Sequence, residues 1–120
     1  MGKLLSHSVV ATIPRGTNTI TVSDVPVTGY LRGVSVVAGD FSGSATYTIE
    51  IADKNGMVVY SKGSLTRSST TTNWADLYGG SFAVSVLNIP MAGPIDVTIT
   101  TSVVQNDSDV SSTVHLYYDQ

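Results

Sequence analysis

The strict alternation of apolar and polar side chains constrains this chain more than any other feature. Over 95–103 the odd positions are Ile, Val, Ile, Thr and Val, and the even positions are Asp, Thr, Thr and Ser. The segments 110–118, 45–51 and 19–23 alternate in the same way. A period of two is typical of a β-strand that buries one face and exposes the other. The pattern therefore predicts half-buried strands.

The composition indicates the same fold class. The 120 residues include 17 Val, 16 Ser and 15 Thr, but one Glu and three Lys. β-Branched side chains pack well on pleated sheets, and good helix formers are scarce here. A chain of this length is expected to form one domain and needs no disulfide to fold, and it contains no cysteine. We therefore predict an all-β chain with a single domain over residues 1–120.

About eight strands are predicted, separated by turn signals and with no helical repeat between them. Their ranges are 4–13, 18–23, 29–38, 44–53, 56–62, 82–88, 94–104 and 110–118. They predict a single antiparallel β-sandwich with a jelly-roll or another Greek-key topology. Residues 1–14 are interpreted as an edge strand or a contact arm.

Glycine, proline and asparagine mark the turns. Asn55 and Gly56 stand between two apolar runs and predict a hairpin with a type I′ turn, which needs a positive φ at both residues. The segment 89–94 is rich in Pro and Gly and is predicted to halt strand pairing. The segment 106–109 is predicted to turn the last two strands back on each other. Gly33, inside the third strand, indicates a bulge or a close backbone approach.

The stretch 67–80 predicts a polar connector followed by one short helix near residues 73–78. Asn73 is a suitable N-cap, and Asp76 stands at the N3 position, close to a capping box. The apolar residues that follow the cap are spaced i, i+3 and i+4 and share one helical face. We predict that these residues form a structural plug at one end of the core: Trp74, Leu77 and Tyr78.

The charge of the chain excludes several classes of partner. Charged residues make up 12% of the sequence and the net charge is −3, so no basic stripe can follow a phosphate backbone. No segment approaches the roughly 18 apolar residues of a membrane span. A surface of Ser and Thr with few charges has weak colloidal repulsion, which suits a subunit of an assembly. We therefore predict neither nucleic-acid nor membrane partners.

No catalytic or cofactor site is predicted. His115 shares a strand face with Ser111 and Thr113 and is expected at the surface, and His7 is expected to be partly buried or at an interface. Neither histidine belongs to a local motif of a Ser-His-Asp site. The acidic segment 106–109 offers oxygen ligands but lacks the glycine and the distal glutamate of an EF-hand, so a polar hairpin turn is favoured over a metal site. We predict that the protein is not an enzyme and holds no metal or cofactor.

A carbohydrate-binding platform is the alternative from another functional class. The candidate aromatic residues are Tyr30, Trp74, Tyr78, Tyr117 and Tyr118. The strand register places Tyr30 and Tyr118 in the core and leaves Tyr117 half exposed. Exposed stacking of Trp74, Tyr78 and Tyr117 would favour sugar binding, whereas a buried Trp74 would favour a structural role.

Three segments of the second half carry a resemblance to a known family. They are TTNWADLYGG at 71–80, IPMAGPIDVTI at 89–99 and VHLYY at 114–118, and the hairpin NGMVVYS at 55–61 agrees with them. Together they are similar to small β-sandwich accessory virion proteins of tailed bacteriophages, of the head-decoration or cement type. The resemblance covers roughly residues 44–118 and includes no catalytic motif.

The resemblance implies a structural function. Such proteins sit on the outside of the capsid, often as trimers, and clamp neighbouring major capsid subunits. The implied partners are the major capsid protein and copies of the chain itself. The implied location is the capsid surface of the virion, after synthesis in the host cytoplasm. A neck, tail or fibre position is the alternative for the same fold.

The N-terminal segment 2–14 is the candidate for subunit contact. An exposed strand edge can accept a strand from another subunit. The candidate contact residues are Leu4, Leu5, His7 and Val9.

Overall fold

The structure, a computed structural model, describes residues 5–41, 45–66 and 89–119. These residues form eight β-strands, and none of them is helical. The strands are β1 (Leu5–Ile13), β2 (Thr17–Val25), β3 (Gly29–Val37), β4 (Thr46–Ala52), β5 (Val58–Thr66), β6 (Ile89–Met91), β7 (Ile95–Gln105) and β8 (Val110–Asp119). The predicted all-β class is confirmed.

The strands form two four-stranded antiparallel sheets, with the orders β1-β8-β3-β6 and β2-β7-β4-β5. Strands β1 and β8, β2 and β7, β3 and β6, and β4 and β5 are all neighbours. The chain is therefore paired as one long hairpin centred on the β4–β5 turn, and this hairpin is wound into a sandwich. That winding is the jelly roll, so the predicted β-sandwich is confirmed, with the first of the two predicted topologies.

The core lies between the sheets and consists of the alternating apolar residues. The fully buried apolar residues of β7 and β8 are Ile95, Val97, Ile99, Val114 and Leu116. Each such side chain stabilises the fold by about 1.5–3 kcal/mol when it leaves water. The predicted alternation of both strands is confirmed at these positions.

Two aromatic rings close the core near the start of β4. Phe41 and Tyr47 are both buried, with ring centroids 5.4 Å apart. The Tyr47 hydroxyl has no hydrogen-bond partner among the described residues. Burial away from water raises the pKa of Tyr47, because the phenolate is poorly solvated there.

The β4–β5 hairpin is confirmed, but its predicted type I′ turn is wrong. Gly56 has φ 81°, whereas Asn55 is not among the described non-glycine residues with positive φ. The Gly56 N–H donates to the Asp53 carbonyl (2.9 Å), and the Asp53 N–H donates to the Met57 carbonyl (2.9 Å). This is a three-residue loop with its left-handed residue at the third position. The Asp53 carboxylate also accepts from the Asn55 and Met57 N–H groups, which supports that geometry.

A bulge interrupts β3, as the glycine in that strand predicted. Leu31 pairs with Tyr118, but Gly33 pairs with Tyr117, so Arg32 is an extra residue on β3. One extra residue reverses the inward and outward positions on the two sides of a bulge.

That reversal overturns the predicted place of Tyr30. After the bulge, Val34 and Val36 point inward, and an unbroken alternation would put Tyr30 on the same face. With the bulge, Leu31 takes the inward position and Tyr30 is 44% exposed. Tyr118 is buried, as expected.

The end of β7 also departs from the alternation. Thr17 pairs with Gln105 and Thr19 pairs with Thr100, so a step of two residues on β2 faces a step of five on β7. Gln105 is fully buried, and Val103, predicted to point inward, is 46% exposed. The prediction for Val103 is wrong because the chain bulges outward before Gln105. The Gln105 amide donates to the Val103 carbonyl (3.0 Å) inside this bulge.

The segment 106–109 does not form the predicted hairpin. It joins β7 to β8, and these strands lie in different sheets. The turn therefore crosses from one layer of the sandwich to the other. Sequence alternation is the same for both arrangements, because a strand buries one face in either sheet.

The segment 89–94 was predicted to halt pairing, and this is wrong for its first three residues. Ile89–Met91 forms β6, and Pro90 lies opposite Tyr30 of β3. Proline is compatible with a strand at the edge of a sheet, where its missing N–H is not needed for pairing. The predicted strand 82–88 and the predicted helix 73–78, with its plug residues Trp74, Leu77 and Tyr78, lie outside the described residues.

Candidate functional site

β1 forms one outer edge of its sheet. Its nine residues pair with β8 without a register shift, from Leu5 opposite Tyr118 to Ile13 opposite Val110. No other described strand pairs with its second side. The strand contains no charged residue and no proline. Such an edge offers a regular row of backbone N–H and C=O groups that can accept a further strand.

The inner face of β1 belongs to the core. Val9, Ala11 and Ile13 are buried, and Leu5 and His7 on the same face are half-buried. The half-buried position of His7 is the predicted one. The contact role of Leu5, His7 and Val9 stays a prediction, and the fourth candidate contact residue, Leu4, lies outside the described residues.

The outer face of β1 is polar except at one position. The Ser8 hydroxyl lies 2.8 Å from His115 Nδ1, and the Thr12 hydroxyl lies 2.7 Å from the Ser111 hydroxyl. Between them Val10 is 62% exposed. These hydrogen bonds add side-chain contacts to the backbone pairing of β1 with β8. The exposed Val10 makes no comparable contribution to the fold of the single chain.

Arg15 fastens the end of β1 to the turn before β8. Its backbone N–H donates to the Asp109 carboxylate (2.8 Å), and its Nε donates to the Asn106 carbonyl (3.0 Å). The acidic turn is thus part of a backbone clasp. In residues 5–41, 45–66 and 89–119, no three His, Asp or Glu side chains are grouped so that they could hold a metal ion.

A groove runs between β1 and β2, where the edges of the two sheets approach each other. Its volume is about 290 Å³. The lining consists of His7, Ser8, Val9 and Val10 from β1 and Val22, Ser23, Asp24, Val25 and Pro26 from β2 and its end. A second groove of about 470 Å³ shares Asp24 and Pro26 with it and extends to Gly93 and Pro94. Mixed polar and apolar walls with one carboxylate therefore lie beside the side of β1 that no other described strand pairs with.

Asp24 distorts the neighbouring edge, β2. It has φ 58°, a left-handed conformation that aspartate tolerates better than most residues. Val22 pairs with Val97 and Val25 pairs with Ile95, so β2 carries one extra residue there. The Asp24 N–H donates to the Asp96 carboxylate (3.2 Å) instead of continuing the ladder. This bulge and its charge make β2 a poor acceptor of a further strand.

The other two edges are protected in different ways. β5 contains Lys62, and both register shifts in its pairing with β4 place an extra residue on β5. β6 has three residues and contains Pro90. Charges, bulges, proline and short length are the devices that prevent strand addition. Of the four edges in the described sheets, β1 is the one that carries none of them.

The two histidines do not form a common site. His7 lies on the inner face of β1, and His115 lies on the outer face of β8, where it pairs with Ser8. The fold therefore separates the residues most suited to proton transfer by the thickness of a sheet.

A small aromatic patch lies on the outer face of the β1-β8-β3-β6 sheet. Tyr30 is 44% exposed, and its backbone pairs with Asp119. The Asp119 carboxylate lies 3.8 Å from Arg32 Nε. Tyr117 is half-buried on the same strand face as Asp119. This patch groups one exposed ring with an ion pair.

Sequence reasoning identified β1 as the candidate contact segment but missed two of the features that distinguish its edge. Val10 could have been noticed, because it is an apolar residue at a polar position of the alternation. The left-handed Asp24 has no sequence signal, because aspartate before proline and glycine is ordinary in turns.

The chain is similar to known proteins at the level of solved structures. No protein-family model matches the sequence, and no curated protein matches it significantly. Among solved structures, the chain is similar to one titled cyanophage Pam1 capsid asymmetric unit, with 21% identity and a TM-score of 0.45, over 98% of this chain and 83% of that one. It is also similar to the VP2 subviral particle of infectious bursal disease virus, with 11% identity and a TM-score of 0.40 over 98% of this chain.

A third similar structure is that of the Gx strain of infectious bursal disease virus, with 13% identity, a TM-score of 0.35 and 98% of this chain covered. The chain spans about a third of each of the two bursal disease virus chains, 33% and 32%. Within the described residues, no helix is long and apolar enough to cross a membrane.

Proposed function

We propose that the protein is a structural, non-enzymatic component of a bacteriophage virion. Within the virion it acts as a head-decoration, or cement, protein that binds the outside of the capsid and stabilises contacts between major capsid subunits. The observation that carries this proposal is the β1 edge, a nine-residue strand without charge, proline or bulge on a jelly-roll sandwich. A soluble protein that acts alone protects such an edge, whereas a subunit of an assembly covers it with another chain.

The fold and the resemblance support the location. Jelly rolls are frequent in viral capsid domains, although they also occur in lectins and cupins. Two of the segments similar to head-decoration proteins, 89–99 and 114–118, build β6, most of the buried part of β7, and the end of β8. These segments lie in both sheets, so the resemblance concerns the framework of the sandwich.

The surface chemistry supports an assembled subunit. The outer sides of β1 and β8 carry hydroxyl groups that hydrogen-bond to neighbouring strands, as at Ser8 and Thr12. The whole chain has 12% charged residues, so few charges would have to be desolvated when a large surface is covered. A hydroxyl-rich face with little charge is compatible with contact across a capsid lattice.

Cryo-electron microscopy of the intact phage particle tests this function. The expected result is density for the jelly roll on the outer surface of the capsid, at junctions between major capsid subunits. Particles of a deletion mutant are the control and should lack that density and lose DNA at a lower temperature. Density at the neck or tail would contradict the decoration role, and absence from particles would contradict the virion role.

Carbohydrate binding is the second candidate function, favoured by the exposed ring of Tyr30 beside the Arg32–Asp119 ion pair. A sugar ring can stack on an exposed aromatic side chain such as that of Tyr30. Lectins, which bind sugars, also include jelly-roll domains. Glycan-array binding that is lost in Tyr30→Ala and kept in Val58→Ala would support this candidate. No binding by the folded chain would remove it.

A further inference from the structure

The β1 edge is complementary to itself. An antiparallel pair of identical strands keeps inward residues opposite inward residues only when the twofold axis passes through a residue. With the axis at Val9, all nine residues overlap. The opposed pairs are then Leu5 with Ile13, Ser6 with Thr12, His7 with Ala11, Ser8 with Val10, and Val9 with Val9.

This register matches the chemistry of both faces. The inner face brings apolar side chains together around Val9, apart from the half-buried His7. The outer face pairs hydroxyl residues at its ends and Ser8 with Val10 near the axis. No like charges meet, because β1 has no charged residue, and opposed like charges are what destabilises such pairs.

The register also accounts for the exposed Val10. Across the axis, the two copies of Val10 become diagonal neighbours, which places their Cβ atoms within about 7–8 Å. The side chain that is 62% exposed in the single chain would thus lie beside the axis, across from Ser8 of the second copy and diagonal to the second Val10.

The geometry restricts the contact to one sheet. β2 flanks β1, but its extra residue and Asp24 interrupt the edge beside the groove. Pairing through β1 would therefore extend the β1-β8-β3-β6 sheet across the axis and leave the other sheet unpaired. The result is a continuous sheet of eight strands shared by two copies.

We propose that β1 is a self-association strand that pairs antiparallel with β1 of a second copy of this chain, on a twofold axis through Val9. This deepens the proposed function and rests on its premise that the chain is a subunit covered at β1. It names the occupant of that edge as an identical chain. A twofold contact of this kind closes with two copies.

Sedimentation of the purified chain tests the association. The expected mass is twice the chain mass of 12.6 kDa. Ser8→Lys combined with Val10→Lys places like charges opposite each other on both sides of the axis and should shift the mass to that of the monomer. The matched control is Val58→Lys, which charges a valine 48% exposed on the protected edge strand β5 and should leave the dimer intact.

A charge exchange tests the register. Ser8→Glu combined with Val10→Lys places opposite charges at the same two positions, and the dimer should return. A monomer in this variant, or a double-lysine variant that stays dimeric, would overturn the pairing. Circular dichroism of each variant confirms that the change in mass does not come from unfolding.

Cysteine cross-linking gives a second readout, because the chain has no cysteine of its own. A mixture of Ser8→Cys and Val10→Cys should form a disulfide-linked dimer with one chain of each, faster than either variant alone. Equal rates would contradict the axis at Val9. A monomer or a trimer of the parent chain would overturn the inference while leaving the virion function to be decided by the particle reconstruction.

Discussion

The edge strand β1 differs from the edge strands β5 and β6 on the other side of the sandwich. On one side, β1 presents nine regular residues with no charge and no bulge. On the other side, β5 carries Lys62 and two bulges, and β6 has three residues with Pro90. Both sides terminate sheets of the same fold, so topology alone does not require the difference. The contrast teaches that the described edges β5 and β6 are built to prevent strand addition, whereas β1 is built to permit it.

The largest predicted change in stability tests whether β1 is an integral strand of the sandwich or a detachable arm. Ile13 is 1% exposed on the inner face of β1. Ile13→Ala should lower the free energy of unfolding by about 2–5 kcal/mol, because it leaves a cavity in the core. Val10→Ala on the outer face should change it by less than about 0.5 kcal/mol. Urea denaturation measures both, and a small loss for Ile13→Ala would show that β1 is an arm.

The next largest change in stability concerns the β4–β5 hairpin, which sets the register between β4 and the edge strand β5. The Asp53 carboxylate accepts hydrogen bonds from the Asn55 and Met57 N–H groups (2.9 and 3.1 Å) and is largely buried. Asp53→Ala should cost about 1–3 kcal/mol, since two part-buried backbone N–H groups lose a charged acceptor. Asp53→Asn keeps an acceptor oxygen and is the control. Thermal denaturation of the two variants compares them, and equal losses would contradict the role of the acceptor.

In the same hairpin, Asn55 and Gly56 were both predicted to have a positive φ, but only Gly56 has one. Gly56→Ala should destabilise the protein by about 1–2 kcal/mol, because alanine is strained at φ 81° even though the space is open. Asn55→Ala should cost less than about 0.5 kcal/mol, because its φ is not positive. Chemical denaturation of the pair would reveal a type I′ turn if both variants lost stability equally.

The smallest predicted change in stability concerns Tyr47, a core residue of β4, the strand that pairs with β5. The Tyr47 hydroxyl is buried without a partner among the described residues, so Tyr47→Phe should leave stability unchanged or raise it by up to about 1 kcal/mol. The pKa of Tyr47 is raised in the folded state. The unfolded chain therefore releases this proton first, and stability falls as the pH rises above about 10.

That alkaline loss of stability should be smaller in Tyr47→Phe than in the parent chain. The free energy of unfolding measured between pH 9 and pH 11 gives the comparison. An identical slope for both proteins would contradict the assignment to Tyr47. Tyr118→Phe, at a second buried tyrosine, serves as the control.

The central strands could be predicted because one rule governs them. Ile95, Val97 and Ile99 alternate with polar residues and are buried as expected. The failures occur where the rule is interrupted. Tyr30 and Val103 point outward because bulges shift the inward positions, and a bulge depends on how two strands pair.

The candidate site was predictable only as a segment. The sequence indicated that residues 1–14 form an edge strand or a contact arm, and β1 (Leu5–Ile13) is an edge of the described sheets. The comparison that singles it out needs the sheet orders, because β1, β2, β5 and β6 become edges only once the strands are arranged. The role of Asp24 is likewise visible only in the structure, where this residue lies in the β2 bulge and lines the groove beside β1.

By itself, the sequence determined that this protein is a β-sandwich, because alternating β-branched residues can bury one face only in paired sheets. It also determined the hairpin at Asn55 and Gly56 and the shortage of charge. The tertiary structure alone decided the jelly-roll order, the crossing of 106–109 between sheets, and which edges are exposed. These depend on contacts between residues far apart in the chain, and local patterning carries no information about which strands become neighbours.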